Sequence, residues 1–281
     1  MRTFCRRKTR DTGKKLAMKD RNDKTYYLDP VKYADGVYYI GTDHYPSWLI
    51  DCGDEVALLD TAMPEDKEFL LENIEKLGYS INDIGHILHS HGHIDHIGAT
   101  KDFAAMSGAK TYIGKGDEDT VAGRNELQWT NEFNMEFTCA FEPDVIISDG
   151  DKIKIGNREF YFINTPGHTA GTLSIFFDVT DEGRTYRAGM FGGAGCNSML
   201  TKYLNKYSLP LSLRDDFKKS IKRLYAERVE VHLGNHIGNA NHHEKVAMLG
   251  QGKNPFIEEE SWKALLDKKL IEIEKIIAEE G

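Results

Sequence analysis

Residues 89–98 read HSHGHIDHIG, so four histidines and one aspartate fall within eight positions of the chain. Imidazole and carboxylate groups are typical zinc ligands. The segment follows a predicted strand, in which side chains two residues apart point to the same side. His91 and His93 are therefore predicted to share one metal. Asp95 and His96, where the chain bends into a helix, are predicted to face a second metal position.

Two metals need more ligands than this segment supplies, and three further histidines lie at the ends of predicted strands. His168 stands in the turn NTPGHTAGT, whereas His232 and His236 stand in VHLGNHIGN. Strand ends deliver side chains to one rim of a sheet, so these histidines can complete the two sites. His89 has the strand parity of His91 but fits no ligand position, and it is predicted to pack behind the ligands.

The HxHxDH motif, the TPGHTAGT turn and the upstream LLDTAMP segment resemble the metallo-β-lactamase superfamily. The resemblance covers most of the chain, from about Val37 to the C-terminal helix. It implies an α/β fold, the αββα sandwich, in which two mostly antiparallel sheets pack together with helices outside. It also implies a site for two metals at one edge of the sandwich.

Residue by residue, the resemblance implies two ligand sets. These are His91, His93 and His168 for the first metal, and Asp95, His96 and His236 for the second. His236 is preferred to His232 because LGNHIGN resembles the last loop of the family, and His232 falls inside an alternating apolar strand. Several branches of the family use a bridging aspartate, but RAGMFGGAGCNS (187–198) contains no acid. The remaining pattern resembles the lactamase branch with three histidines on one zinc.

Other residues are predicted to support the site or to contact the substrate. Asp60 is expected to hold the 91–96 loop by hydrogen bonds, with a helix N-cap as the alternative. Cys196 is a less favoured metal ligand, because it follows a glycine-rich stretch. The candidates for anchoring a substrate carboxylate are Asn197, Ser198 and Lys202. Trp129 belongs to a weakly patterned stretch, 116–142, that is expected to form a wall or lid.

The predicted activity is zinc-dependent hydrolysis of a small molecule. Two zinc ions are expected, although iron and manganese accept the same ligands. A metal-bridging hydroxide, oriented by Asp95, would attack the carbonyl of a β-lactam-like or other cyclic amide or ester. The alternatives are a lactonase or thioesterase of the same fold, a phosphodiesterase, and a non-catalytic metal-binding protein.

Short strands and helices alternate along the chain, which favours two packed sheets with outer helices. Strands are predicted at residues 37–42, 47–52, 55–61, 85–90, 110–114, 144–150, 151–156, 158–165, 172–180, 184–193 and 229–235. Helices are predicted at 63–79, 96–108, 212–228 and 258–280. No linker interrupts residues 31–281, which are predicted to form a single domain, whereas the basic residues 1–30 are predicted to form a flexible tail.

The composition is that of a globular protein, with 281 residues, 40% of them hydrophobic, and a formal net charge of −9. The negative charge disfavours nucleic acid as a partner. No apolar run approaches the ~20 residues of a membrane helix, so no membrane partner is expected. The four cysteines are scattered, which favours free thiols and a cytoplasmic location.

Overall fold

The computed structural model describes residue 23 and residues 25–280, and its first sheet contains seven strands. They are β1 (Val31–Ala34), β2 (Val37–Tyr39), β3 (Trp48–Asp51), β4 (Val56–Leu59), β5 (Ile84–Leu88), β6 (Lys110–Gly114) and β7 (Val145–Ile147). The strands lie in the sheet in the same order as in the chain. The pairs from β1 to β4 are antiparallel, and the pairs from β4 to β7 are parallel.

The second sheet contains five strands in the order β12-β11-β10-β9-β8. They are β8 (Lys152–Ile155), β9 (Arg158–Asn164), β10 (Leu173–Asp181), β11 (Arg184–Phe191) and β12 (Val231–His232). The β10–β11 hairpin turns on Glu182 and Gly183, both with positive φ, as a tight two-residue hairpin requires. A two-residue turn at Gly156 and Asn157 likewise joins β8 to β9.

Eight α-helices connect or cover the strands of the described residues. They are α1 (Lys67–Lys76), α2 (Ile94–Ile97), α3 (Thr100–Ser107), α4 (Glu118–Val121), α5 (Thr201–Lys206), α6 (Leu213–Leu224), α7 (His242–Ala247) and α8 (Glu260–Glu280). Short 3-10 turns occupy Pro64–Asp66, Ile81–Asp83, Asn197–Met199 and Ile237–Asn239. Among the residues described, no helix is long and apolar enough to cross a membrane.

The main core lies between the two sheets, where Trp48 and Leu59 of the first sheet meet Phe160 and Phe177 of the second. On the outer face of the first sheet, α1 and α3 cover the strands with a second apolar layer. On the outer face of the second sheet, α6 and α8 form a third layer. The order of layers is helix, sheet, sheet, helix, which confirms the predicted αββα sandwich.

The structure adds detail that the sequence patterns do not contain. The first sheet is mixed rather than mostly antiparallel, because the β4–β5 and β5–β6 connections contain helices, and such crossovers make neighbouring strands parallel. The predicted helix 96–108 is divided into α2 and α3. The elements β1, α4 and α5 were not predicted, since four to six residues are too few for a clear hydrophobic period.

Most of the predicted tail, residues 1–30, lies outside the described residues. Its last positions belong to the fold, since Tyr26 is buried and Tyr27 forms a bridge with Thr42. The ring of Tyr27 also packs 4.9 Å from that of Phe69 in α1, measured between centroids. The packed part of the chain therefore begins before residue 31.

Candidate metal centre

Four segments that follow strands meet at one edge of the sandwich. Because β4 and β5 are parallel, their carboxyl ends reach this edge together, bringing Asp60 beside the 89–96 segment. The β9–β10 connection delivers His168, and the segment after β12 delivers His236. The side chains assemble into two groups of possible ligands. These are His91, His93 and His168, and Asp95, His96 and His236, with the ligand atoms of each group all within 4.8 Å of one another.

The two groups are adjacent. In the first group, the ring of His91 lies 4.7 Å from the rings of His93 and His168, measured between centroids. The ring of His96, in the second group, lies 4.0 Å from that of His91. Asp95 Oδ2 lies 3.7 Å from Nε2 of both His96 and His236. This arrangement brings together the residues that the sequence predicts for two metals.

Hydrogen bonds set the direction of four of these imidazoles. His91 Nδ1 donates to Ser90 Oγ at 3.0 Å. His168 Nδ1 donates to the carbonyl oxygen of Gly195 at 2.8 Å, and His236 Nδ1 donates to that of His44 at 2.9 Å. His96 Nδ1 donates to the Asp60 carboxylate at 2.8 Å. With Nδ1 engaged in this way, Nε2 carries the lone pair that can bind a metal.

Two buried nitrogen atoms of the site have no hydrogen-bond partner among the described residues. His91 Nε2 and His96 Nε2 are both buried without a hydrogen bond. A buried polar atom left without a partner costs about 1–3 kcal/mol, so native structures rarely retain one. A metal ion in each group would be the partner, and the donor set of five histidines and one aspartate suits zinc. The residues present therefore fit two zinc ions.

The electrostatics of the pocket favour the neutral form of four ligand histidines, namely His91, His93, His96 and His168. Burial, followed by the neighbouring histidines, holds the pKa of His91 and that of His93 well below the usual value. Burial lowers the pKa of His96 to about 3 and that of His168 to about 3. Neutral imidazole is the form that binds a metal, so the site does not have to lose protons at neutral pH.

Asp60 makes the contacts expected of a residue that holds the ligand loop. Its carboxylate accepts hydrogen bonds from the Ser90 backbone N–H at 2.8 Å, from Ser90 Oγ at 2.7 Å and from His96 Nδ1. Burial raises its pKa to about 6, whereas the Ser90 donors oppose that rise. Met63, and not Asp60, occupies the N-cap position of the nearest helical turn, so Asp60 does not have the alternative N-cap role.

Three buried histidines of the described residues lie outside both groups, namely His89, His232 and His242. His89 uses both ring nitrogens, with Nδ1 bonded to the Tyr112 carbonyl oxygen at 2.8 Å and Nε2 to Thr100 Oγ1 at 2.7 Å. His89 therefore packs behind the ligands, as expected of a histidine that fits no ligand position. His232 Nδ1 lies 3.1 Å from Ser261 Oγ at the start of α8.

The two groups open into a cavity of about 500 Å³. Trp129 lines it, as predicted, with its ring 5.0 Å from that of His93 and stacked at 4.5 Å on Tyr203. Phe133 lines the same wall. Part of the 116–142 stretch is therefore the apolar side of the site, and Trp129 has a positive φ of 68° there.

The predicted carboxylate anchors have different positions. Asn197 lines the cavity, and Ser198 is buried with its Oγ 3.3 Å from His168 Nδ1. Lys202 is exposed on α5 and is not one of the lining residues. The lysine in the cavity is Lys269 of α8, paired at 2.8 Å with Glu272. Lys269 cannot be identified from the sequence, because a single lysine in an amphipathic helix carries no local signal.

Cys196 also lines the cavity but belongs to neither group of ligands. Burial raises the pKa of its thiol to about 12, so the thiol remains protonated. The preceding residues are small because the strand end lies against the ligands. A Cβ added to Gly193 would lie 2.8 Å from His168 Cβ. The acid-free segment after β11 therefore makes room for His168 instead of supplying a bridging ligand.

Comparisons with known proteins agree with the family resemblance of the sequence motifs. The family model of the metallo-beta-lactamase superfamily matches residues 40–181. FEZ-1, a metallo-beta-lactamase from Legionella gormanii, is similar with a TM-score of 0.81 and 26% identity, over 89% of this chain and 95% of that one. BJP-1, a subclass B3 metallo-beta-lactamase of Bradyrhizobium japonicum, has a TM-score of 0.82 and 26% identity, over 92% and 96%. An uncharacterized protein from Aquifex aeolicus is 35% identical over 88 residues, which is 36% of its length.

Proposed function

The chain belongs to the metallo-β-lactamase superfamily and is a metal-dependent hydrolase, and we propose that it uses two zinc ions to cleave a β-lactam-like or related cyclic amide or ester. One observation carries this proposal. Two adjacent groups of three ligands face one cavity, with His91 Nε2 and His96 Nε2 buried and without partners. The similarity to FEZ-1 and BJP-1 supports the β-lactam-like substrate class.

The chain supplies the positions of the reacting groups. When bound, zinc would supply a water ionised near neutral pH and a Lewis acid for the carbonyl oxygen. His91, His93 and His168 would hold one ion, and Asp95, His96 and His236 the other. The Asp95 carboxylate faces the cavity, where it can accept a hydrogen bond from the attacking water and so orient it toward the carbonyl carbon.

We further propose that the substrate is a small molecule with a carboxylate near the cleaved bond. Lys269, only 12% exposed, provides a positive charge in the cavity, and Asn197 provides an amide donor. Trp129 and Phe133 provide an apolar surface on the same cavity for the rest of the molecule. Such a mixture of apolar walls with a few polar anchors is typical of small-molecule sites.

The test is turnover by the zinc-loaded chain of four substrates, each compared with the H168A variant. The substrates are a chromogenic cephalosporin, an acyl-homoserine lactone, a glutathione thioester and a phosphodiester. We expect hydrolysis of the cephalosporin, with a loss of at least 100-fold in kcat/KM in H168A and after chelation. Turnover that survives chelation, or hydrolysis of the phosphodiester alone, would contradict the proposal.

A further inference from the structure

A second buried carboxylate, Asp117, lies beside the first group of ligands and has no part in the proposed reaction. It precedes α4 and is 1% exposed. Its Oδ2 accepts hydrogen bonds from the Gly92 backbone N–H at 2.8 Å and from Thr169 Oγ1 at 2.7 Å. Its Oδ1 accepts one from the Gly171 backbone N–H at 2.9 Å. One side chain thus contacts two separate connections.

Those two connections carry all three ligands of the first group. Gly92 lies between His91 and His93 after β5, and Thr169 directly follows His168 before β10. The connections come from different sheets, because β5 belongs to the seven-stranded sheet and β10 to the five-stranded one. Asp117 therefore joins the two sheets at the point where the first metal would bind.

The packing around Asp117 leaves little freedom. A Cβ added to Gly171 would lie 2.5 Å from the Asp117 backbone nitrogen, and one added to Gly92 would lie 3.1 Å from Thr120 Cγ2. Burying a carboxylate is costly, and burial raises the pKa of Asp117 despite its three donors. The three donors are two backbone N–H groups and one hydroxyl, and one ionised carboxylate can accept hydrogen bonds from all three at once.

We propose that Asp117 is a positioning residue for the first metal, because it sets the distance between the His91–His93 loop and the His168 loop. This inference rests on the proposed function. Asp60 bonds His96 of the second group directly, and it reaches His91 of the first group only through Ser90. Asp117 is thus the buried carboxylate that contacts both connections of the first group.

The D117N substitution tests this role with nearly unchanged volume. An amide has one acceptor oxygen, so its NH₂ would face at least one of the present donors and the loops would shift. Loss of such a supporting group typically costs 10–100-fold in metal affinity. We expect D117N to bind one zinc 10–100-fold more weakly and the other unchanged, as measured by competition with a chromogenic chelator. We expect D60N to weaken the second ion most, because the Asp60 carboxylate bonds its ligand His96 directly.

Cobalt substitution identifies the affected site independently of activity. Site-by-site cobalt titration of D117N should show altered absorption from the three-histidine ion, with the spectrum of the other ion preserved. The matched control is D119N. Asp119 lies two residues after Asp117, and its exposed carboxylate pairs with Arg124. It should bind both ions as the wild type does.

Three outcomes separate the possibilities. A folded D117N that binds both ions as the wild type does, or that loses both equally, overturns the role of Asp117. If D117N does not fold, T169V decides, because it removes the hydroxyl that donates to Asp117, together with the contact of that hydroxyl to Thr172. An unchanged first-site affinity in T169V would then overturn the role. A wild-type chain that binds no zinc would overturn the proposed function, and this inference with it.

Discussion

His91, His96 and His168 show that the direction of a side chain, as much as its type, makes a metal ligand. His89 lies in the same motif, but both its nitrogens are bonded to protein groups. His91 and His96 instead present a buried Nε2 without a partner, and His168 is oriented by its Gly195 hydrogen bond. Four histidines in one motif are therefore not equivalent.

Lys269 leads to a prediction at the level of one residue. In K269Q the positive charge that we propose for carboxylate binding is removed, while the amide retains a hydrogen-bond donor. A charge-assisted hydrogen bond contributes about 1.5–3 kcal/mol, so we expect KM for the cephalosporin to rise about 10-fold or more with kcat little changed. Steady-state kinetics measures both constants.

The matched control is K268Q, which removes the neighbouring exposed lysine of α8. It should leave KM unchanged, as should K269Q when the substrate carboxylate is esterified. An equal rise in KM for the acid and its ester would show that Lys269 acts through packing and not through charge.

At the level of elements, the segment after β11 packs closely against the β9–β10 connection. Gly193 follows this strand, and a Cβ there would lie 2.8 Å from both His168 Cβ and Thr172 Cγ2. These atoms belong to the β9–β10 connection, which cannot move without moving His168. The absence of a side chain at this position is therefore a requirement of the metal site and not of the strand.

We accordingly expect G193A to displace His168 and to weaken binding of the first zinc at least tenfold. The overpacking should also cost about 1–3 kcal/mol of the free energy of unfolding. Zinc competition and urea unfolding measure the two effects. In the control, G85A in β5, an added Cβ meets no atom within 4 Å. Wild-type zinc binding in G193A would show that the strand end adapts.

At the level of the whole molecule, buried histidines make the stability depend on pH. Burial lowers the pKa of His232 to about 3 and that of His242 to about 4, from a usual value of 6.5. Below about pH 6.5 the unfolded chain binds more protons than the folded chain, so acid favours unfolding. The buried ligand histidines act in the same direction.

We therefore expect the metal-free chain to lose stability as the pH falls from 6.5 toward 4. Each such histidine should contribute about 1.4 kcal/mol per pH unit within that window. Urea unfolding of chelator-treated protein at several pH values measures this slope. A free energy of unfolding that is constant between pH 6.5 and 5 would contradict the burial of these side chains.

The sequence by itself determined the local features. The periods of two and of 3.6 residues identified most strands and the long helices, and the ligand motif with its turn identified the fold family. These signals are local, because a ligand pair two residues apart on a strand end needs no distant partner to be recognised. The choice of His236 over His232 also came from the sequence, and the structure places His236 beside Asp95.

Only the tertiary structure decided what depends on distant segments meeting. Lys269 of α8 enters the cavity from the end of the chain, whereas Lys202 does not line it. Asp117 meets Gly92 and Gly171 across 25 and 54 positions of sequence. The hydrophobic periods of a sequence do not predict such contacts, because the contacts follow from the packing of two sheets and their outer helices. The ligand motif can be recognised in the sequence, whereas the positions of Asp117 and Lys269 around it depend on the packing.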